Sequence, residues 1–222
     1  MKSSKIIFFV SNALSSSRIN YFLNKNHLNE LAVKHGLNVA KSWNVKKGDI
    51  PNDLAYPIIT KNIDSNSGAW KEDYYICNNK NELELAYQNI KGENLILQQY
   101  IVKKTEVCLD GVYLHKGEQN LAIASTYTYA LPDNYSAEMI VSNYKDIPHY
   151  EQVKSSLDDM FKEIGFDGIY SVEFMLDNNN ESWFLEINFR PSTWNYAATK
   201  LGMNLSILWS LGQVKDIFFK KF

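Results

Sequence analysis

The stretch Ser182-Trp183-Phe184-Leu185-Glu186-Ile187-Asn188-Phe189-Arg190-Pro191-Ser192 decides how the rest of this chain is read. Its apolar residues give it strand character. It carries a carboxylate, an amide two positions on and a guanidinium two further on. Side chains on a strand alternate faces with a period of two. Glu186, Asn188 and Arg190 therefore share one face, with Leu185 and Ile187 on the other. An acid, a neutral oxygen ligand and a cation on one face suit a magnesium ion and a phosphate. A solvated surface strand would show a similar Glu-x-Asn pattern, so the weight falls on the arginine. The chain has two arginines, Arg18 and Arg190, against a large surplus of lysine. One of them stands where planar, bidentate phosphate binding needs it.

Upstream lies a second strand-like run, Ile169-Tyr170-Ser171-Val172-Glu173-Phe174-Met175-Leu176, joined to the first by Asp177-Asn178-Asn179-Asn180-Glu181. The joining residues are turn formers. With Asn178 to Glu181 as the loop, Asp177 pairs with Ser182, Leu176 pairs with Trp183, and Glu173 falls opposite Glu186. Two like charges facing each other across a ladder repel. A divalent cation between them reverses the sign. Glu173, Glu186 and Asn188 are therefore the expected ligands of magnesium, or of manganese in its place.

With these residues in view, the chain resembles the ATP-grasp superfamily. Its members make an acyl-phosphate from a carboxylate and ATP, then pass the acyl group to an amine or similar nucleophile. Phe184 to Pro191 looks like the family's metal-binding strand, and Glu173 matches its upstream metal carboxylate. Four further stretches match in order. In Asn24 to Val39, Leu28, Leu31 and Ala32 mark a helical face that Gly36 stops. Lys25 sits where the family's helix-opening cation reaches the ATP phosphates. Tyr56-Pro57-Ile58-Ile59-Thr60-Lys61 is a short strand ending in the lysine that the resemblance assigns to the α- and β-phosphates, as a binding and a catalytic group. Ser65-Asn66-Ser67-Gly68-Ala69-Trp70 stands where the family has a glycine-rich loop that closes over the phosphates, and departs from it in having one glycine. Asn94 to Ile101 resembles the strand and hinge that hold adenine, with Gln98, Gln99, Tyr100 and Ile101 at the hinge and Gln99 where members often have glutamate. Glu106 matches the ribose-binding acid. Arg190 is expected to stabilise the migrating phosphoryl group or to hold the carboxylate.

The resemblance implies an α+β chain of the ATP-grasp fold, with two α+β lobes sandwiching ATP and a truncated or absent N-terminal α/β domain. The expected divisions are residues 1–54 as a residual strand and lead-in helix, 55–105 as the small lobe with its mobile loop, and 106–222 as the large lobe with the metal site. The implied function is an ADP-forming carboxylate–amine ligase using ATP and magnesium, acting on small-molecule substrates. A homodimer or a separate chain supplying the N-terminal domain would complete it. Two alternatives stay open: a non-catalytic ATP-binding module or subunit of a split ligase, and an ATP-grasp phosphotransferase. Trp194, Asn195, Tyr196, Tyr127 and Tyr129 are candidates for lining a substrate pocket.

Composition narrows the field. The chain has 222 residues, net charge −2 and dispersed lysines. Aromatics make up 14%, but no basic stripe accompanies them, so no nucleic-acid partner is expected. Cys77 and Cys108 form neither a disulfide framework nor a metal spacing and read as buried free thiols. The apolar run Ile6 to Val10 is too short for a signal sequence or a membrane span and reads as a buried strand. Cytoplasm is the expected compartment, with no membrane partner. Asn79 and Glu82 imitate a capping box ahead of a helix that buries Leu83 and Ala86. Val153, Leu157, Met160, Phe161 and Ile164 mark a core-facing helix stopped by Gly165. A last helix, around Leu205 to Phe219, is expected to break or bend near Gly212.

Overall fold

The computed structural model describes residues 21–22, 24–62, 73–114, 117–130, 136–142, 145, 147–193 and 195–219. The strand expected before residue 20, the loop Ser65 to Trp70 and Trp194 lie outside them. The chain divides into two compact units. One runs up to Val39 and resumes at Lys103, and the other is Ala40–Val102. The division expected between residues 54 and 55 falls inside the second unit. The reason is β2 (Ser42–Lys46), which hydrogen-bonds along its whole length to β5 (Asn94–Gln99). The small unit likewise ends at Val102, ahead of the expected 105.

The second unit is a four-stranded sheet in the order β2, β5, β3 (Ile58–Asn62), β4 (Ile76–Cys77), with helix α2 (Lys80–Asn89). Asn79 caps α2 by accepting the Glu82 N–H at 3.0 Å. Glu82 reaches back to the N–H of Asn78 at 2.8 Å, one residue earlier than in the standard box. Leu83 and Ala86 are buried as their spacing predicts, together with Tyr87. The strand ahead of α2 is only Ile76–Cys77, and Asp73 is not part of it. Asp73 serves instead as a buried anchor, accepting the N–H groups of Lys91 and Gly92, each at 2.9 Å.

The first unit is a six-stranded sheet backed by helices. Its order is β1 (Asn38–Val39), β10 (Ser182–Asn188), β9 (Gly168–Asp177), β6 (Lys103–Leu114), β7 (Glu118–Ala130), β8 (Ser136–Ser142). All neighbours are antiparallel except β1, which lies parallel to β10. One face packs on α1 (Lys25–Lys34) and α3 (Tyr150–Ile164), with Leu157, Met160, Phe161, Tyr170, Val172 and Phe184 in the shared core.

Helix α1 opens with Asn24, whose Oδ1 accepts the Asn26 N–H at 2.9 Å. It closes when Gly36, at φ +82°, lets its own N–H reach Val33 O and that of Leu37 reach Ala32 O. Glu163 of α3 accepts from Lys34 Nζ at 2.6 Å and lies 2.8 Å from His35 Nε2, tying the tail of α1 to α3.

Helices α4 (Asn195–Lys200) and α5 (Leu205–Phe219) pack on the β6 side through Ala198, Leu205, Trp209 and Val112. Buried Asp167, just before β9, accepts from Trp209 Nε1 at 2.7 Å and from Gln213 Nε2 at 2.9 Å. The break expected near Gly212 is not there, and α5 runs through it. The glycine answers a packing need: a Cβ on residue 212 would lie 2.7 Å from Leu114 Cδ2. Both cysteines are buried and free. Burial pushes the Cys77 thiol up to about 11 and the Cys108 thiol up to about 12. Among the described residues, no helix is long and apolar enough to cross a membrane.

Leu157 is fully buried between α3 and the sheet. Leu157→Ala is expected to lower unfolding stability by about 3 kcal/mol, as lost transfer energy plus a cavity. A drop in the urea midpoint at unchanged slope checks this, and a shift below about 0.5 kcal/mol would contradict the core assignment.

Candidate functional site

The hairpin β9–β10 places Glu173 opposite Glu186, as the sequence suggests, but by another route. Near the turn the pairs are Ser182–Leu176, Trp183–Met175 and Phe184–Phe174, one step away from the expected register. Beyond Phe184 the ladder shifts, and Glu186–Glu173, Ile187–Val172 and Asn188–Ser171 follow. Leu185 is the extra residue of a β-bulge. Without it, strict alternation would put Phe184 on the same face as Glu186. With it, Phe184 and Ile187 both enter the core, while Glu186 and Asn188 share the opposite face. Leu185, expected on the core side with Ile187, instead lines the pocket beside Glu173 and Asn188.

The two carboxylates do not titrate alike. Burial and the like charges of Glu186 and Glu106 hold Glu173 above the usual carboxylate range, against the pull of Lys25 and Arg190. Burial also pushes Glu186 up, but its ion pair with Lys25, the Asn188 amide and the Arg190 charge outweigh that and bring it below its usual value. The Lys25 Nζ to Glu186 Oε2 distance is 2.8 Å. Lys25 is the first residue of α1, so the helix that Asn24 caps delivers this ammonium to β10. Asn188 Nδ2 donates to both acids, at 3.1 Å to Glu186 and 3.3 Å to Glu173. Two opposed, part-buried carboxylates and an amide on one face are hard oxygen donors of the kind magnesium takes, and their mutual repulsion favours a cation. The donor set fits the metal, with the amide turned to present its oxygen.

Beside these groups lies a cavity of about 170 Å³ lined by Glu106, Cys108, Ser171, Glu173, Leu185, Asn188, Arg190, Ser192 and Thr193 among others. That is small against the roughly 300–1,000 Å³ of ligand clefts. Glu106 is paired with Lys103 at 2.8 Å. Arg190 is exposed and donates to Pro191 O at 3.3 Å. Ser192 and Thr193, which follow it, join the lining. Asp110, two residues beyond Cys108 on β6, is fully buried behind this wall and was not among the sequence candidates. The signal was present: Glu106, Cys108 and Asp110 recur at period two on a strand.

The second unit gathers other candidates. Lys61 and Gln98 lie on one face of its sheet, where Lys61 Nζ donates to Gln98 Oε1 at 2.6 Å. Gln98 Nε2 in turn donates to Ser42 Oγ at 2.9 Å. The hinge amides of Gln99 and Tyr100 are engaged within the unit, by Lys41 O at 2.8 Å and Pro57 O at 2.9 Å. Ile101 follows, buried. Of the substrate-pocket candidates, Asn195 opens α4, Tyr196 is exposed, and Tyr127 and Tyr129 belong to β7.

This architecture matches solved enzymes. N5-carboxyaminoimidazole synthetase from Staphylococcus aureus superposes with a TM-score of 0.63 at 21% identity, over 81% of this chain and 47% of that one. The chain has the ATP-grasp fold. VanG D-Ala:D-Ser ligase from Enterococcus faecalis is similar at TM-score 0.60 and 17% identity, over 87% of this chain and 61% of that one. So is the biotin carboxylase domain of 2-oxoglutarate carboxylase from Hydrogenobacter thermophilus, in complex with MgADP, ADP and bicarbonate (TM-score 0.66, 20% identity, 87% and 45%). The chain spans about half the length of most of these structures. The tubulin-tyrosine ligase family model matches residues 110–206 of this chain. That match, under half of the chain, takes in the β9–β10 hairpin and Arg190.

If Glu173 and Glu186 hold a cation together, removing either charge should weaken it. Nucleotide-free Mn²⁺ binding, followed by electron paramagnetic resonance, is expected to fall about tenfold or more in Glu173→Gln and in Glu186→Gln. In the parent chain affinity should rise with pH above the usual carboxylate pKa of about 4.3, because Glu173 binds its proton more tightly than a free glutamate and must release it. Unchanged affinity in both variants would place the cation elsewhere.

Proposed function

We propose that this chain is an ATP- and magnesium-dependent ligase that activates a carboxylate as its acyl-phosphate and transfers the acyl group to an amine or similar nucleophile. The observation that carries this reading is the Glu173–Glu186 pair, with Asn188 between them, at the edge of a pocket that also holds Arg190. The ATP-grasp fold supports it, as do the names of similar proteins, a D-Ala:D-Ser ligase and an L-amino acid ligase among them.

Each residue has an assigned task. Glu173, Glu186 and Asn188 would hold magnesium, which when bound supplies charge neutralisation at phosphate oxygens. Lys25 and Lys61 bind the phosphates as mobile point charges. Gln98, Gln99, Tyr100 and Ile101 border the adenine, and Glu106 takes the ribose hydroxyls. Arg190 steadies the phosphoryl group as a substrate carboxylate oxygen attacks the γ-phosphorus and ADP leaves. The amine then attacks the acyl carbon, the bond to the phosphate oxygen breaks, and inorganic phosphate departs.

The test is a panel of carboxylates with ATP, magnesium and hydroxylamine, reading hydroxamate and ADP together. Equal amounts of both are expected with the correct acid, and Glu186→Ala should lower both by at least about a hundredfold. ADP without hydroxamate would mean phosphoryl transfer to a non-carboxylate group. Nucleotide binding with no ADP from any acid or amine would make the chain a binding module. Undiminished turnover in Glu186→Ala would remove the site from this hairpin.

A further inference from the structure

Asp110 has no task in the reading above. It lies fully buried on β6, pairing with Ser171 of β9 on one side and Ile123 of β7 on the other. On the β7 side the ladder skips a residue: Asp110 opposes Ile123 but Gly111 opposes Leu121, so Ala122 is extra. Bulges of this kind re-aim side chains beside active sites. Neither oxygen of the Asp110 carboxyl has a well-formed hydrogen bond. Burial drives its pKa up, and the hydroxyl and backbone N–H of Ser192, which face it, pull it back. A buried carboxyl with so little support is costly for a core to hold, and its presence calls for a reason.

The carboxyl oxygens are sealed from solvent, so a substrate in the pocket does not touch them. What faces them is the irregular segment after β10. That segment carries Arg190, Ser192 and Thr193, all of which line the pocket. Its far side is held by Asn195, whose N–H donates to Ser192 O at 3.3 Å. The Oδ1 of Asn195 is another buried oxygen without a hydrogen bond. Imperfectly satisfied polar atoms therefore flank this segment, and each such atom calls for a reason.

We infer that Asp110 is a positioning residue: from the sheet behind the pocket it sets the Arg190–Thr193 segment through Ser192, and so aims the Arg190 guanidinium. What Arg190 does there rests on the ligase reading, but the placement does not.

Two measurements separate these. Hydrogen exchange comes first and needs no nucleotide. In Asp110→Asn, amides between Arg190 and Asn195 are expected to exchange about tenfold faster, with those of β9 unchanged. Calorimetry with the magnesium complexes of a non-hydrolysable ATP analogue and of ADP comes second. The parent chain should prefer the analogue. Arg190→Ala should abolish that preference, Asp110→Asn and Ser192→Ala should reduce it about tenfold, and Ser192→Thr should keep it. Should Asp110→Asn not fold, Ser192→Ala carries both measurements. Unchanged exchange in the segment, or equal acceleration in β9, would overturn the inference. Faster exchange confined to the segment, in a chain showing no preference for the analogue, would uphold the placement and sink the ligase reading of Arg190.

Discussion

Two carboxylates face each other across the β9–β10 ladder, and much of the first unit makes that repulsion bearable. Glu173 meets Glu186 in a half-buried setting, where opposed like charges cost more than they would in water. The chain answers with three partners from three places. Lys25 arrives at the head of α1, Asn188 donates from the same strand, and Arg190 adds its charge from just beyond it. The compensation is lopsided. Lys25 is bonded to Glu186, so Glu186 stays ionised readily while Glu173 holds its proton more tightly. An arrangement built for stability alone would have replaced one acid. Keeping both is what the proposed cation site requires.

The bulge at Leu185 is what lets this pair coexist with a core. A strand must supply Phe184 and Ile187 to the packed face and Glu186 and Asn188 to the other, and those positions do not fit a period of two. One extra residue resolves the conflict. The same device recurs on β7 opposite Asp110. The first of these irregularities lines the pocket through Leu185.

Much of this was legible in the sequence because the chemistry is local. Helix stops at Gly36 and Gly165, the cap at Asn79 and the apolar stripe of α3 follow from neighbouring residues alone. The Glu173–Glu186 pairing was legible too, although the register that led to it was one step off near the turn and the bulge compensated. Leu185 was misassigned for that reason: alternation cannot announce its own interruption, although Phe184 and Ile187, three apart and both apolar, hinted at it. Asp110 is marked in the sequence only by its period-two spacing from Glu106 and Cys108, and the Ser192 that faces it is far away in the chain. The boundary near residue 54 failed similarly, since β2 belongs with β5 only through long-range pairing. Gly212 reads as a helix breaker in the sequence, and only the nearness of Leu114 explains why a glycine stands inside a continuous helix.

Helix α1 has a property that follows from its two ends. Its tail is pinned by Glu163 through Lys34 and His35, and its head by Glu186 through Lys25. Ten residues at 1.5 Å each make it a strut of roughly 15 Å. One acid belongs to a scaffold helix and the other to a strand of the sheet. Whatever draws Lys25 away from Glu186 leaves the strut fastened at its tail and by its apolar flank, with its head charge released toward the newcomer. The first residue of α1 thus sits as a hand on a fixed arm, holding an acid.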